Sequence, residues 1–253
     1  MRLSAIVITK DEAAHIGDCL DSLAFCDERI VVDCGSSDNT LMIAKEKGAR
    51  IAFHDWKGFG DQKNHALSLA RGDWVLSLDA DERVTPDLRQ TILAALDDTT
   101  ADAYEFPRQS SFCGRMMRHS GWFPDRVLRL FRRGKARFTD DVVHERVVCE
   151  GTVKRLKAPL LHYPVRRLED AIRRMDSYST LGAQQMMASG KPASILKGVV
   201  HGTAAFLRTY VLRRGFLDGS AGFLLAVANA EGTYYRYVKA WLANRDAAGG
   251  PQP

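Results

Sequence analysis

VLSLDADERV, residues 75–84, opens as an apolar run and ends with Asp79, Asp81 and Glu82 inside four positions. At ~5 Å and an effective dielectric of ~20, each pair of these carboxylates repels by roughly 3 kcal/mol, so something positive belongs beside them. The D-x-D spacing puts Asp79 and Asp81 on the same side of an extended segment, where both can reach one divalent cation. Mg²⁺ or Mn²⁺ is typically held by one or two carboxylates plus substrate phosphates, and no Cys/His cluster points to zinc.

The sequence on the N-terminal side of this stretch alternates strand and helix signals. LSAIVIT at 3–9 is a continuous β-branched run, as expected of a parallel strand covered on both faces. Thr9 with Glu12 fits a capping box, and Ile16, Cys19, Leu20 and Leu23 then recur with helical spacing. The unit repeats with a strand at 29–33, the polar turn 34–40 and a helix closed by Gly48. A third strand is expected at 49–54, a helix through Ala66, Leu67 and Ala70, and the strand 74–78 that feeds the acidic cluster. This pattern predicts a doubly wound α/β sheet, with ligands beyond the carboxyl ends of the strands. Thr9 with Asp11, Asp33, and Asp79 with Asp81 all fall at those ends. Each taken singly reads equally well as a helix cap.

Past a short helix from Pro86 to Leu96, strands are expected at 103–107, 126–131 and 142–149, and helix from Leu168 to Leu242. The tail 247–253 reads as disordered. Residues 1–100 carry a net charge of −7 and residues 101–253 a net of +12, within a total of +5 over 253 residues. The basic half suits phosphate-rich ligands or an anionic membrane surface. Nucleic acid fits poorly, because no recognition motif accompanies the arginines. Five scattered cysteines without a C-x-x-C arrangement suggest neither disulfides nor zinc, and fit a reducing cytosol. Residues 1–10 lack a signal-peptide pattern, and no run approaches the ~20 apolar residues of a spanning helix.

Four segments together resemble the inverting family-2 glycosyltransferases, which have the GT-A fold and a nucleotide-sugar donor. They are Thr9-Lys10-Asp11-Glu12-Ala13, Val32-Asp33-Cys34-Gly35-Ser36-Ser37-Asp38-Asn39-Thr40, Gln62-Lys63-Asn64-His65-Ala66 with Ala70-Arg71-Gly72-Asp73, and Leu78-Asp79-Ala80-Asp81-Glu82. The resemblance implies a Rossmann-like mixed sheet with a helical C-terminal region. It implies Thr9, Asp11 and Asp33 at the nucleoside, Lys63 near the diphosphate with Asn64 beside it, Asp79 toward the ribose or sugar, and Asp81 at the metal. Lys63 stands where arginine is frequent and loses its bidentate geometry, and Asp11 stands where asparagine is common.

The segments 115–133 and 142–145 are similar to a bacterial subgroup that includes lipopolysaccharide core β-glucosyltransferases. On that likeness Glu145 is the expected general base, with Asp140 and Asp141 as competitors, and His144 is an acceptor contact, a metal neighbour or a structural histidine. A surface ion pair is the plain alternative for Glu145. Trp122, flanked by Gly121 and Phe123-Pro124, suits stacking on a sugar or packing of its own loop. Arg126 and Arg129 suit acceptor phosphate or simple solvation. Expected partners are UDP-glucose and a lipid-linked saccharide.

Residues 193–211 form a basic amphipathic helix, and Tyr234, Tyr235, Tyr237 and Trp241 lie near Arg236 and Lys239. This mixture suits a membrane interface or packing in the core or a homo-oligomer. The resulting organisation is a GT-A domain over 1–165, divided into 1–100 for the donor and 101–165 for the acceptor, then a helical region over 166–246. The expected location is the cytoplasm, at the inner face of the cytoplasmic membrane. Two rivals are a sugar nucleotidyltransferase, which would want a Gly-rich basic turn after the first strand, and a non-catalytic surface-binding protein.

Overall fold

Apolar runs without alternation become strands buried on both faces. In the computed structural model, which describes residues 1–139 and 146–247, the first such run is β1 (Leu3–Thr9), followed by α1 (Ile16–Ser22), β2 (Glu28–Asp33), α2 (Thr40–Glu46), β3 (Arg50–Phe53), α3 (Phe59–Leu69) and β4 (Trp74–Asp79). β1 lies between β2 and β4 and is parallel to both, and β3 extends the sheet beyond β2. Leu3, Ala5 and Val7 of β1 enter one apolar cluster with Leu20 and Leu23 from the α1 side, while Ile6 enters another with Ala66 of α3. Successive side chains thus meet helices on opposite faces, as doubly wound packing requires.

The sheet then turns mixed. After β4 come β5 (Glu82–Val84), α4 (Pro86–Ala95), β6 (Ala103–Phe112), β7 (Arg115–Met116), β8 (Asp125–Arg132), β9 (Ala136–Phe138), β10 (Val147–Cys149), β11 (Val153–Arg155) and β12 (Leu160–Val165). Spatial order along the sheet is β3-β2-β1-β4-β8-β6-β12-β5, with β8 antiparallel to both β4 and β6. β9 and β10 form a separate antiparallel pair. The register between β6 and β8 slips: Tyr104 faces Leu130 and Glu105 faces Leu128, which leaves Arg129 as an extra residue in a bulge.

Several sequence expectations change. The Thr9/Glu12 capping box does not form, since α1 begins at Ile16 and its cap His15 makes no side-chain capping bond. Glu82 is a fully buried residue of β5, while α4 starts at Pro86 as expected, with the Thr85 hydroxyl accepting the Leu88 N–H. β6 runs on to Phe112, past Pro107, and β5, β7, β9, β11 and β12 lie outside the expected strands. Of the strand expected over 142–149, residues 142–145 lie outside the described residues and 147–149 form β10.

The chain divides into two compact units, Met1–Gln109 with Asp125–His162, and Ser110–Pro124 with Tyr163–Pro253. The second unit therefore takes in a segment that the sequence division left with the first. Its helices are α5 (Leu168–Ala188), α6 (Ile195–Leu207) and α7 (Gly219–Ala247), and a π-helical turn Arg208–Leu212 and a 3-10 turn Gly215–Asp218 link the last two. Among the described residues, no helix is long and apolar enough to cross a membrane.

Candidate active site

The carboxyl ends of β2, β1 and β4 lie side by side. Register pairs Thr9 with Asp33 and Ile8 with Asp79, so three segments leave the sheet along one edge. Crevices of this kind hold ligands in parallel α/β sheets.

The turns after β1 and β2 are stitched together. Asp11, in the left-handed region at φ 53°, accepts the Ser37 N–H at 2.7 Å and the Ser37 hydroxyl at 3.0 Å. In return its own N–H donates to the Ser36 hydroxyl, Glu12 N–H to the Thr40 hydroxyl, and Ala13 N–H to Asp38. These bonds hold the exposed Asp11 carboxyl below its ordinary range, with the Ser37 backbone bond as the main cause. Asp33 is buried and turns back on its own loop, accepting Gly35 N–H at 2.7 Å, Ser36 N–H at 2.9 Å and the Ser36 hydroxyl at 2.5 Å. The buried Thr9 hydroxyl has no hydrogen-bond partner among the described residues.

The acidic turn finds its positive partners within the protein, from three different elements. Lys63 of α3, only 2% exposed, places Nζ 2.8 Å from Asp79 Oδ1. Arg129, projected from the β8 bulge, sets Nη2 2.5 Å from Asp79 Oδ2 and 2.8 Å from Glu82 Oε1. Arg108 of β6 reaches the same Glu82 oxygen at 3.2 Å and Asp125 at 2.6 Å. Glu82 in turn accepts the Asp79 N–H at 3.0 Å, closing the turn on itself. Burial pushes the Asp79 carboxyl up, but Arg129 and then Lys63 outweigh it and hold the group well below the carboxylate range.

Asp81 stands apart from this network. Its side chain is 18% exposed and lies 3.3 Å from His162 Nε2 of β12. Burial raises its carboxyl, and the hydrogen bond and charge of His162 more than offset this, leaving it below its usual value. Asp79, expected as a metal and ribose contact, has both oxygens engaged by cations. The donor set left facing a divalent cation is one carboxylate, Asp81, beside one imidazole, His162. No cluster of three or more His, Cys, Asp or Glu suited to a metal occurs among the described residues. Such a sparse set fits Mg²⁺ or Mn²⁺ whose remaining positions are filled by substrate phosphates and water.

The other expected site residues take varied places. Asn64 spends its amide on the backbone of Phe138, donating to the carbonyl and accepting the N–H, both at 2.9 Å, and so ties α3 to β9. Arg126 is exposed on β8, opposite Pro107. Trp122, in the second unit, packs edge-on against Phe112 with ring centroids 5.7 Å apart. Asp140, Asp141, His144 and Glu145 lie outside the described residues. Arg108, Arg129 as an acid partner, and His162 are the members that sequence reasoning missed. An arginine between apolar residues, as Arg129 is, was the available signal for one of them.

An open-edged α/β sheet with a stitched loop pair and an acidic turn at its carboxyl ends has the doubly wound architecture, whose ligand crevice lies beyond the strand ends. Residues 4–158 match the family model described as Glycosyl transferase family 2. The chain is 32% identical to the lipopolysaccharide core biosynthesis glycosyltransferase LpsC of Rhizobium meliloti, over 97% of each chain. It is 28% identical to an uncharacterized glycosyltransferase of Rickettsia prowazekii, covering 94% of this chain and 86% of that one. Among solved structures, glucosyl-3-phosphoglycerate synthase from Mycobacterium tuberculosis, in complex with Mn²⁺, UDP and glucosyl-3-phosphoglycerate, aligns over 45% of this chain and 44% of that one with 24% identity and a TM-score of 0.36. The chain belongs to glycosyl transferase family 2. It is a transferase, and its sheet is that of the GT-A class the sequence pointed to.

Proposed function

We propose that this glycosyltransferase moves a hexose, glucose in the favoured reading, from a UDP-sugar to a lipopolysaccharide core or other lipid-linked saccharide, with inversion at the anomeric carbon. The observation that carries the reading is the convergence of Thr9, Asp33 and the Asp79–Asp81 turn on one sheet edge, with Asp81 turned out of the ion network beside His162. The relationship to LpsC over nearly the whole chain supports the acceptor class. Family membership weighs against the nucleotidyltransferase and non-catalytic alternatives.

In this reading the stitched turns after β1 and β2 seat the nucleoside, and the unpartnered Thr9 hydroxyl faces a donor that can satisfy it. Lys63 and Arg129 hold Asp79 rigid, so that Asp81 presents one carboxylate with His162 as its neighbour. A bound Mg²⁺ or Mn²⁺ held by Asp81 and His162 would supply positive charge for the leaving diphosphate. Glu145 takes the proton of the acceptor hydroxyl as that oxygen bonds to the anomeric carbon, and UDP leaves with the electron pair of the broken glycosidic bond. Asp141 and Asp140 are the alternative bases. The reaction belongs at the cytoplasmic face of the membrane, where a lipid-linked acceptor is within reach.

Asp81→Asn keeps the shape of the turn and removes the carboxylate charge beside His162. It should abolish metal-dependent release of UDP from UDP-glucose while the protein stays folded, as judged by circular dichroism. Normal turnover in that variant would remove Asp81 from the metal site. Glu145→Gln should keep donor binding by calorimetry and suppress transfer by 10²-fold or more, the lower range for losing a general base. Retained turnover would shift the base to Asp141 or Asp140.

A further inference from the structure

α6 is arranged in reverse for a helix in water. It buries its small residues, Gly198, Gly202 and Ala205. A Cβ added at Gly198 would lie 3.2 Å from the Tyr234 ring, and one at Gly202 would lie 3.1 Å from the Ala230 carbonyl, so this face is set close against α7. At 3.6 residues per turn the opposite face carries Leu196, Val200 and Leu207. All three are exposed, Leu196 by 73%, and Leu212 continues the apolar surface in the π-helical turn at 77%. Val211, Phe216 and Leu217 are half-exposed beside it. An amphipathic helix of a soluble protein points its large apolar residues inward. Here they point out, as a stripe along one face of the helix, of the kind that marks an interaction surface.

The charge of the same segment says what covers it. From Lys191 to Leu217 the chain holds Lys191, Lys197, Arg208, Arg213 and Arg214, and no acidic residue. The next acid, Asp218, is buried and committed, accepting the N–H groups of Arg118 and His119 and the Ser120 hydroxyl. Lys197 and Arg208 lie about 80–100° around α6 from the centre of the apolar face, on one flank of it. A two-fold contact between copies would double this cation group at one interface without an acid of the same segment to pair it, since an isologous interface repeats the same patch on both sides. An apolar strip flanked by uncompensated cations matches an anionic lipid surface, with acyl chains for the strip and headgroups for the cations.

We propose that the outward face of α6 and the turns that follow it, with Leu196, Val200, Leu207, Leu212 and Phe216 as the inserting set, docks this protein on an anionic lipid leaflet. This deepens the membrane placement of the proposed function and does not depend on the transfer chemistry.

The test is co-sedimentation of the full chain with phosphatidylcholine vesicles, with and without phosphatidylglycerol. The expected result is partition onto the anionic vesicles that falls as salt is raised. The triple variant Leu196→Ser, Val200→Ser, Leu207→Ser should lower that partition at least tenfold with an unchanged melting temperature, since each side chain is exposed. Lys197→Gln with Arg208→Gln should lower it about fivefold for each cation removed. The proposal is overturned if the intact chain stays in the supernatant at low salt, or if the triple-serine variant binds as the intact chain does. A dimer in sedimentation velocity that the triple-serine variant converts to monomer would overturn it in favour of a second copy on this face.

Discussion

Arg129 reaches two carboxylates from a position where its strand has one residue too many. One Nη2 serves Asp79 and Glu82 together, while Lys63 and Arg108 each serve one of them. Arg129→Met therefore leaves the buried Glu82 and the partly exposed Asp79 with one cation apiece. Removing one partner from a buried ion pair typically costs 3–5 kcal/mol, and the surviving partners place this case at about 3 kcal/mol, measured by urea denaturation at pH 7. The pH dependence follows from the lowered Asp79 carboxyl, which burial raises and which Arg129 and Lys63 lower by more. A depressed carboxyl stabilises the fold above the unfolded value of ~4, and that contribution is lost as pH falls through the lower folded value. Without Arg129 the folded value rises toward the unfolded one, so the deficit of Arg129→Met relative to the parent should hold level from pH 7 to ~4 and shrink as pH is lowered from ~4 toward the lower folded value. A deficit that stays constant over that lower window would mean that Asp79 is not what Arg129 stabilises. Some of this was legible: three acids in four residues called for positive charge. Its source was not, because Lys63, Arg108 and Arg129 come from separate elements whose meeting is tertiary.

Elements buried on both faces wrote themselves into the sequence most clearly. β1, β2 and β4 are continuous apolar runs ending in polar residues, so both their existence and the edge they share could be read directly. The antiparallel half could not, because short strands such as β5 and β12 carry acids, His162 and Pro164 in place of alternation. The β8 bulge is a matter of register between strands, which local sequence does not encode, yet it is what aims Arg129. The close approach of β1 and the entry to β4 is a further element-level feature. Gly72 N–H donates to the Ser4 hydroxyl at 2.7 Å, and a Cβ at residue 72 would meet Ser4 N at 2.7 Å and its hydroxyl at 2.8 Å. Backbone cannot yield as a flexible side chain does, so Gly72→Ala should destabilise by about 1–3 kcal/mol, the range for overpacking. Urea denaturation with an unchanged m-value checks this. A neutral substitution would mean that β1 and β4 can part at their amino ends without cost.

At the scale of the molecule, the acidic turn of the stretch 1–100 is neutralised by Lys63 and by two arginines from beyond residue 100, and this determines how a metal can add to it. The acidic turn has spent most of its charge on Lys63, Arg129 and Arg108, leaving Asp81 with His162. A site with so few protein donors holds a divalent cation weakly until phosphate oxygens complete its shell. Metal and nucleotide should therefore stabilise the fold together and not separately. Thermal unfolding gives the measurement, because a ligand that binds only the folded chain adds RT ln(1 + [L]/Kd), about 2.7 kcal/mol at a hundredfold excess over Kd. Mn²⁺ alone should move the midpoint little, and UDP alone should raise it modestly through the β1 and β2 turns. Mn²⁺ with UDP should raise it by more than the sum, and EDTA should reverse that excess. In Asp81→Asn the excess should vanish while the rise from UDP alone remains, which separates a lost metal contact from a lost nucleotide site. A full shift from Mn²⁺ in the absence of UDP would instead require a complete protein cage for the metal, and Asp79 would then have to leave Lys63 and Arg129 to build it.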